Sequence, residues 1–122
     1  MASIKDITDM RVYKLSMSYL DPIYDIAYKI PHLKLRTQLT NSAEAVPPLL
    51  SEGFSKRRNR VEMLRFYEMA MAESDEVIVH LLKAIILSKR FHNIPKSDCE
   101  RLANSYKELS KQINSMIQKL KY

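Results

Sequence analysis

Four stretches of the chain repeat their apolar residues at steps of three and four, the spacing of one face of an α-helix. In the first, from about Met10 to Ile30, Tyr13, Met17, Leu20, Tyr24 and Ala27 form one stripe. Leu15, Tyr19, Ile23, Ile26 and Ile30 form an adjacent one. In the second, from about Leu33 to Glu52, the stripe is Leu35, Leu39, Ser42, Val46 and Leu49, flanked by Ala43 and Leu50. The third runs from about Asn59 to Arg90 through Leu64, Tyr67, Met71, Ser74, Ile78, Leu81 and Ile85. Phe66, Ala70, Val77 and Ala84 widen its face. The fourth, with Leu102, Tyr106, Leu109, Ile113, Met116 and Leu120, is strictly heptad. No segment alternates with period two over strand length, so no β-sheet is expected. Short connections between long helices force antiparallel neighbours. The pattern predicts an all-α protein, one domain over residues 1–122, folded as an antiparallel up-down four-helix bundle.

Prolines and the single glycine punctuate this pattern. Thr8 or Asp9 is placed to cap the first helix through its free backbone N–H groups. Pro22 lies inside that helix and removes the donor for the Ser18 carbonyl, which predicts a kink. Pro31 ends it. Pro47 and Pro48 leave the Ala43 and Glu44 carbonyls without helical donors, which predicts a second helix bent or broken there. Gly53 follows the last apolar pair and suits the left-handed position that closes a helix. Pro95 suits a helix start, and Ser97-Asp98-Cys99-Glu100 reads as a capping box.

Composition narrows the class. The chain is 46% hydrophobic and 28% charged, ordinary for a folded domain that needs no staples. Cys99 is alone, so neither a disulfide nor a thiolate metal cage can form within the chain, and a small buried hydrophobe is expected there. The N-terminal residues carry charge where a signal peptide is apolar, and no stretch has the length of a membrane span. A cytoplasmic protein with no membrane contact is the expectation.

Net charge is +6, unevenly spread. Residues 33–60 hold six basic and two acidic side chains, and residues 91–122 hold six and three. The first quarter balances, and the third is slightly acidic. The densest basic run is Lys56, Arg57, Arg58 and Arg60, with Arg65 further along the next helix. Guanidinium groups fork onto phosphates, so this run could grip a nucleic-acid backbone. The competing reading is a solvated loop in which Glu62 simply pairs with Arg58 four residues earlier. Glu52, at a helix end where the dipole repels negative charge, is expected to have a basic partner.

Catalysis has little support. Bundles that hold two irons use paired Glu-x-x-His motifs. Here Glu76 and His80 stand four apart and nothing repeats them. Cys99 and the scattered His32, His80 and His92 make no nucleophile–base set. No enzyme activity, metal or cofactor is expected. The double stripe on the first helix and the wide face on the third exceed what one small bundle needs inside, which favours self-association or a protein partner.

Three stretches resemble a bacterial family, the four-helix-bundle proteins encoded within intervening sequences of 23S ribosomal RNA genes. That family includes the accessory variability proteins of diversity-generating retroelements. Asp9-Met10-Arg11-Val12-Tyr13-Lys14 is similar to its opening, an Asp-Leu then a Val-Tyr or Val-Trp. Val46-Pro47 followed by Ser51-Glu52-Gly53 resembles its Ile-Pro-x-Asn-Ile-Ala-Glu-Gly segment. Glu62, Phe66, Ala70, Ser74 and Glu76 match its third-helix spacing. Leu49 departs from the usual Asn, Pro48 adds a second proline, and Glu73 stands where Gly usually precedes Ser74. The resemblance implies a ring-shaped homo-oligomer, a pentamer, with a positive surface, and in the retroelement branch contacts with a reverse transcriptase and its RNA. It makes Pro47, Glu52 and Gly53 structural. The functional expectation is an accessory factor binding the RNA or DNA backbone. The alternative is a protein–protein interaction scaffold with no direct nucleic-acid contact.

Overall fold

The computed structural model describes residues 5–121; residues 1–4 and 122 of the expected domain lie outside them. After a 3₁₀ turn at Ile7–Asp9 come α1 (Arg11–Ser18), α2 (Leu20–Ala27), α3 (Leu33–Ser55), α4 (Arg60–Leu87) and α5 (Lys96–Lys121). No strand occurs among the described residues. α1 and α2 together make the first arm of a four-helix bundle. That arm packs on α3 and α5, α3 packs on α4, and α4 packs on α5. The diagonal pairs make no close backbone approach among the described residues, so the section is a square with chain neighbours side by side.

The first arm is interrupted at Tyr19, three residues before Pro22. Pro22 sits in the first turn of α2, where a missing N–H costs least and a fixed φ is already helical. Backbone bonds from Tyr19 to the Leu15 carbonyl and from Ile23 to the Tyr19 carbonyl, both 3.0 Å, hold the two segments in sequence. The buried face continues across the interruption at helical spacing. Val12 and Ser16 are buried before it, Ile23, Ile26 and Ala27 after it, and Met17 from the predicted stripe is 46% exposed.

α3 runs through Pro47 and Pro48 as one 23-residue helix. Of the bend or break expected there, the break does not occur. Pro47 is buried and Pro48 is exposed. Packing on α4 and on the first arm therefore outweighs a local cost of about 3 kcal/mol per interior proline. Gly53 differs from expectation too. It lies inside α3, is buried, and has no positive φ. Its role is spatial: a Cβ there would lie 2.6 Å from Tyr67 Cε1 and 3.2 Å from the Met63 carbonyl oxygen. The glycine lets α3 and α4 approach where the hairpin between them closes.

Two caps also move. α1 is preceded by Met10 with no side-chain cap; Thr8 and Asp9 belong to the 3₁₀ turn, and Asp9 Oδ2 accepts from the Asp6 N–H at 3.3 Å. α5 starts at Lys96, so Ser97 is already inside its first turn rather than at the cap. The N-termini of α3 and α4 are capped by side chains. His32 Nδ1 accepts from Leu35 N at 3.1 Å and Asn59 Oδ1 from Glu62 N at 3.2 Å.

The interior is formed by Ile23, Leu39, Val46, Leu50, Val77, Leu81, Tyr106, Leu109 and Ile113, all fully buried. Each large side chain so removed from water stabilises the fold by roughly 1.5–3 kcal/mol against the entropy of ordering it. The buried line of α5 passes from Ile113 to Ile117 rather than to Met116, because 3.6 residues per turn drifts away from a strict heptad. On α4 Tyr67, Ser74 and Leu81 of the expected stripe are buried together with Ala70, Val77 and Ala84, while Leu64, Met71, Ile78 and Ile85 are only half-buried. Ser74 joins α4 to α5 inside the core. Its Oγ donates to the Tyr106 carbonyl at 3.3 Å and accepts from Ser110 Oγ at 2.8 Å.

Candidate nucleic-acid interface

The basic run lies where α3 turns into α4. Lys56 N–H donates to the Glu52 and Gly53 carbonyls, Arg57 N–H to Phe54, and Asn59 N–H to Lys56, so the connection is a closed turn. Asn59 then caps α4. This short, bonded turn holds the four cationic side chains on a rigid base.

Each cation has its own setting. Arg57 Cζ lies 4.2 Å from the Phe54 ring centroid, and Arg57 Nη1 donates to the Phe54 carbonyl at 3.0 Å. Lys56 Nζ stands 3.7 Å from Glu52 Oε1, so the basic partner expected for Glu52 is the lysine rather than an arginine. Glu62 pairs with Arg65 at 3.0 Å and not with Arg58. Arg65 also stacks over Phe66, with Cζ 4.6 Å from its centroid. Arg58 is exposed and makes no side-chain hydrogen bond or ion pair among the described residues. Exposed ion pairs of this kind contribute well under 1 kcal/mol each and would exchange readily for a phosphate.

Arg60 reaches out of the loop. Its Nε donates to the Leu120 carbonyl at 2.6 Å, a cation on the orphan carbonyls of a helix C-terminus. That contact brings the last turn of α5, with Lys119 and Lys121, beside the loop. Lys121 lies 4.0 Å from Glu68 on α4. The loop and its adjoining turns thus gather Lys56, Arg57, Arg58, Arg60, Arg65, Lys119 and Lys121 against Glu52, Glu62 and Glu68. Two of the basic quarters of the sequence meet at one end of the bundle. Lys119 and Lys121 were not among the residues singled out from the sequence. An antiparallel bundle of four helices puts the end of the last helix beside the middle connection, which was the available signal.

Lys34 and Arg36, from the same basic quarter as the loop, are at the start of α3 and so at the opposite end. Arg36 is occupied there. Its Nε and Nη2 donate to the Ile30 carbonyl at 3.0 and 2.8 Å.

Tyr67 braces the loop from below. It fills the space that Gly53 leaves, and burial pushes its phenol up to about 12, opposed by the nearby Arg57 guanidinium. Pro47, Glu52 and Gly53 all lie on the last three turns of α3, which carry this hairpin.

The model of the 23S rRNA-intervening sequence protein family matches residues 8–115. The chain belongs to that family. No curated protein and no solved structure gives a significant match. In this 23S rRNA-intervening sequence protein the glycine after Glu52 thus has a physical reason: Tyr67 occupies the place of its side chain. No described helix is long and apolar enough to cross a membrane.

The residues weighed for metal or acid–base chemistry are spread through the fold. No group of three His, Cys, Asp or Glu able to hold a metal occurs among the described residues. Cys99 is fully buried, and burial raises its thiol to about 11, with Asp98 and Glu100 adding to the shift. His80 is buried on α4, with Nε2 3.6 Å from Glu76 Oε2. Burial lowers its pKa below 6.5, Lys83 lowers it further, and Glu76 opposes them. The folded state therefore takes up its proton at lower pH than the unfolded state. Its contribution to stability is complete above the unfolded value and is lost as pH falls below it toward the folded one. The unfolding midpoint should fall between pH 7.5 and 5.5 more steeply in the wild type than in His80→Leu. Thermal melts of both proteins across that range measure the difference.

Proposed function

We propose that this 23S rRNA-intervening sequence protein is a non-enzymatic, homo-oligomeric accessory factor. It binds the sugar–phosphate backbone of RNA or DNA through the α3–α4 turn and the last turn of α5. The observation that carries the reading is the Arg60–Leu120 contact, which turns two separate basic segments into one cationic surface on a rigid base. Among the described residues, the aromatic rings beside these cations, Phe54 and Phe66, already carry Arg57 and Arg65. Binding on this reading is to phosphate and follows shape rather than sequence. A cytoplasmic setting, where RNA and a protein partner such as a reverse transcriptase are available, accords with it.

The test is titration of a structured RNA at two or more salt concentrations. Changing Arg57, Arg58 and Arg60 to Ala should weaken binding at least about tenfold at low salt. It should also flatten the dependence of log affinity on log salt by about two units, since each phosphate neutralised contributes roughly 0.7–0.9. Lys34→Ala, at the other end of the bundle, should change neither. No binding at low salt, or an unaltered slope in the triple variant, sinks the proposal.

A further inference from the structure

The two ends of the bundle differ in what accompanies their charge. At the Arg60 end, Glu52, Glu62 and Glu68 stand among the cations. Residues 26–43 and 77–95, which run to and from the opposite end, contain no Asp or Glu. They hold Lys29, Lys34, Arg36, Lys83, Lys89 and Arg90. Leu33, Leu82 and Ile86 from the same segments are 67%, 45% and 60% exposed. Unbalanced positive charge beside exposed aliphatic side chains suits a partner that is acidic and apolar at once.

A cleft of about 390 Å³ lies there, between the start of α3 and the end of α4. Lys34, Leu35 and Gln38 wall it on α3, and Lys83, Ile86 and Leu87 on α4, with His32 beside them. Lys34 is exposed and makes no side-chain hydrogen bond or ion pair among the described residues. It stands in the first turn of α3, which has no acidic residue and where the helix dipole already favours negative charge. Lys83 Nζ donates to a neutral group, Gln38 Oε1, at 3.3 Å. Asp98, the first carboxylate that follows in the chain, is paired with Arg101.

The walls discriminate among anionic partners. They carry no Tyr, Phe or Trp on which a base could stack. They carry no guanidinium fork for phosphate, and the neighbouring Arg36 is occupied by the Ile30 carbonyl. A flat lipid surface would not enter a cleft. A concave aliphatic wall with one ammonium group from each helix takes a large apolar side chain with a carboxylate on either side. One face of an acidic amphipathic helix presents that set.

We infer that this cleft docks an acidic amphipathic segment of another protein. The segment sets a Leu or Phe against Leu35, Ile86 and Leu87, and its carboxylates against Lys34 and Lys83. The cleft is at the end of the bundle away from Arg60, so docking leaves the cationic turn open.

The test is to pan random peptides of about twelve residues, enough for three helical turns, on the wild-type protein. Recovered peptides should share a large apolar residue flanked by Asp or Glu. By fluorescence anisotropy, Lys34→Glu, Lys83→Glu and Ile86→Ser should each weaken the labelled consensus peptide about tenfold or more. Arg58→Ala, at the other end, should not. A peptide with Lys in place of the facing Glu should recover affinity for Lys83→Glu, which a merely misfolded variant would not show. Circular dichroism checks the fold of each variant. Peptides without carboxylates, no recovered peptide, or binding indifferent to all three substitutions overturns the inference. Structured RNA that displaces the peptide, and itself loses affinity in Lys83→Glu and Ile86→Ser, would make the cleft a nucleic-acid surface instead. Anionic vesicles that sediment the wild type but not Ile86→Ser would make it a membrane contact, and either result overturns the inference.

Discussion

Gly53→Ala should lower the stability of the protein by about 2 kcal/mol, although alanine is the better helix former. In an ordinary helix interior the change would gain about 1 kcal/mol. Here the new Cβ would stand 2.6 and 2.7 Å from two ring carbons of Tyr67 and 3.2 Å from the Met63 carbonyl oxygen. Tyr67 is 2% exposed, so its ring has no solvent side to turn into. Overpacking a site of this kind costs roughly 1–3 kcal/mol, and contact with both a buried ring and backbone argues for the upper end. The net sign follows from that comparison. It should reverse when the ring is gone. In a Tyr67→Leu background, where a flexible side chain can vacate the space, Gly53→Ala should be neutral or stabilising. Urea unfolding of the four proteins in this cycle isolates the coupling. An alanine at 53 that stabilises the protein with Tyr67 intact would show that the two helices have room to part. The cationic turn follows directly after α3, so the same strain should reach Arg57 and weaken phosphate binding without removing a charge.

How far the sequence discloses this molecule depends on whether a feature is periodic or is made by two helices meeting. The four helical stretches, their order and the alternation of direction come from periodicity and loop length, and each has its counterpart in the structure. The solvent-facing side of α4 was also within reach, since the predicted apolar face there was wider than a core requires. What was not legible is local to contacts. The sequence presents Gly53 as a helix terminator because a lone glycine after an apolar pair usually is one. Only the position of Tyr67, fourteen residues on and on another helix, gives it a different role. Glu62 has Arg58 four residues before it and Arg65 three after it, and spacing alone cannot choose. Arg58 points from the turn, outside the helix that carries Glu62, while Arg65 shares that helix. The contact of Arg60 with Leu120 spans 60 residues; bundle topology brings the two segments to one end, but no pattern picks out the pair.

Pro48→Ala should stabilise the protein by about 2 kcal/mol, and Pro47→Ala should leave it nearly unchanged. Both prolines sit in the interior of α3, where each forfeits a backbone hydrogen bond and crowds the carbonyl four residues before it. The local gain on replacing either by alanine is about 3 kcal/mol. Against it stands the greater freedom of the unfolded chain without a proline, about 0.4–1 kcal/mol. Pro48 is exposed, so little else changes there, and a new N–H at 48 can reach the Glu44 carbonyl. Pro47 is buried. Its replacement removes two ring carbons from the core at about 0.8 kcal/mol each, with a further cost for the space left behind, and this offsets the backbone gain. Urea midpoints for the two single variants should therefore separate by more than the scatter of the method. If Pro47→Ala stabilises as much as Pro48→Ala, the ring at 47 contributes nothing to packing. The more informative result is Pro48→Ala gaining stability while losing affinity for RNA. The residue would then be kept for the direction it gives the last turns of α3, and with them the arginines of the turn, at the expense of the helix that carries them.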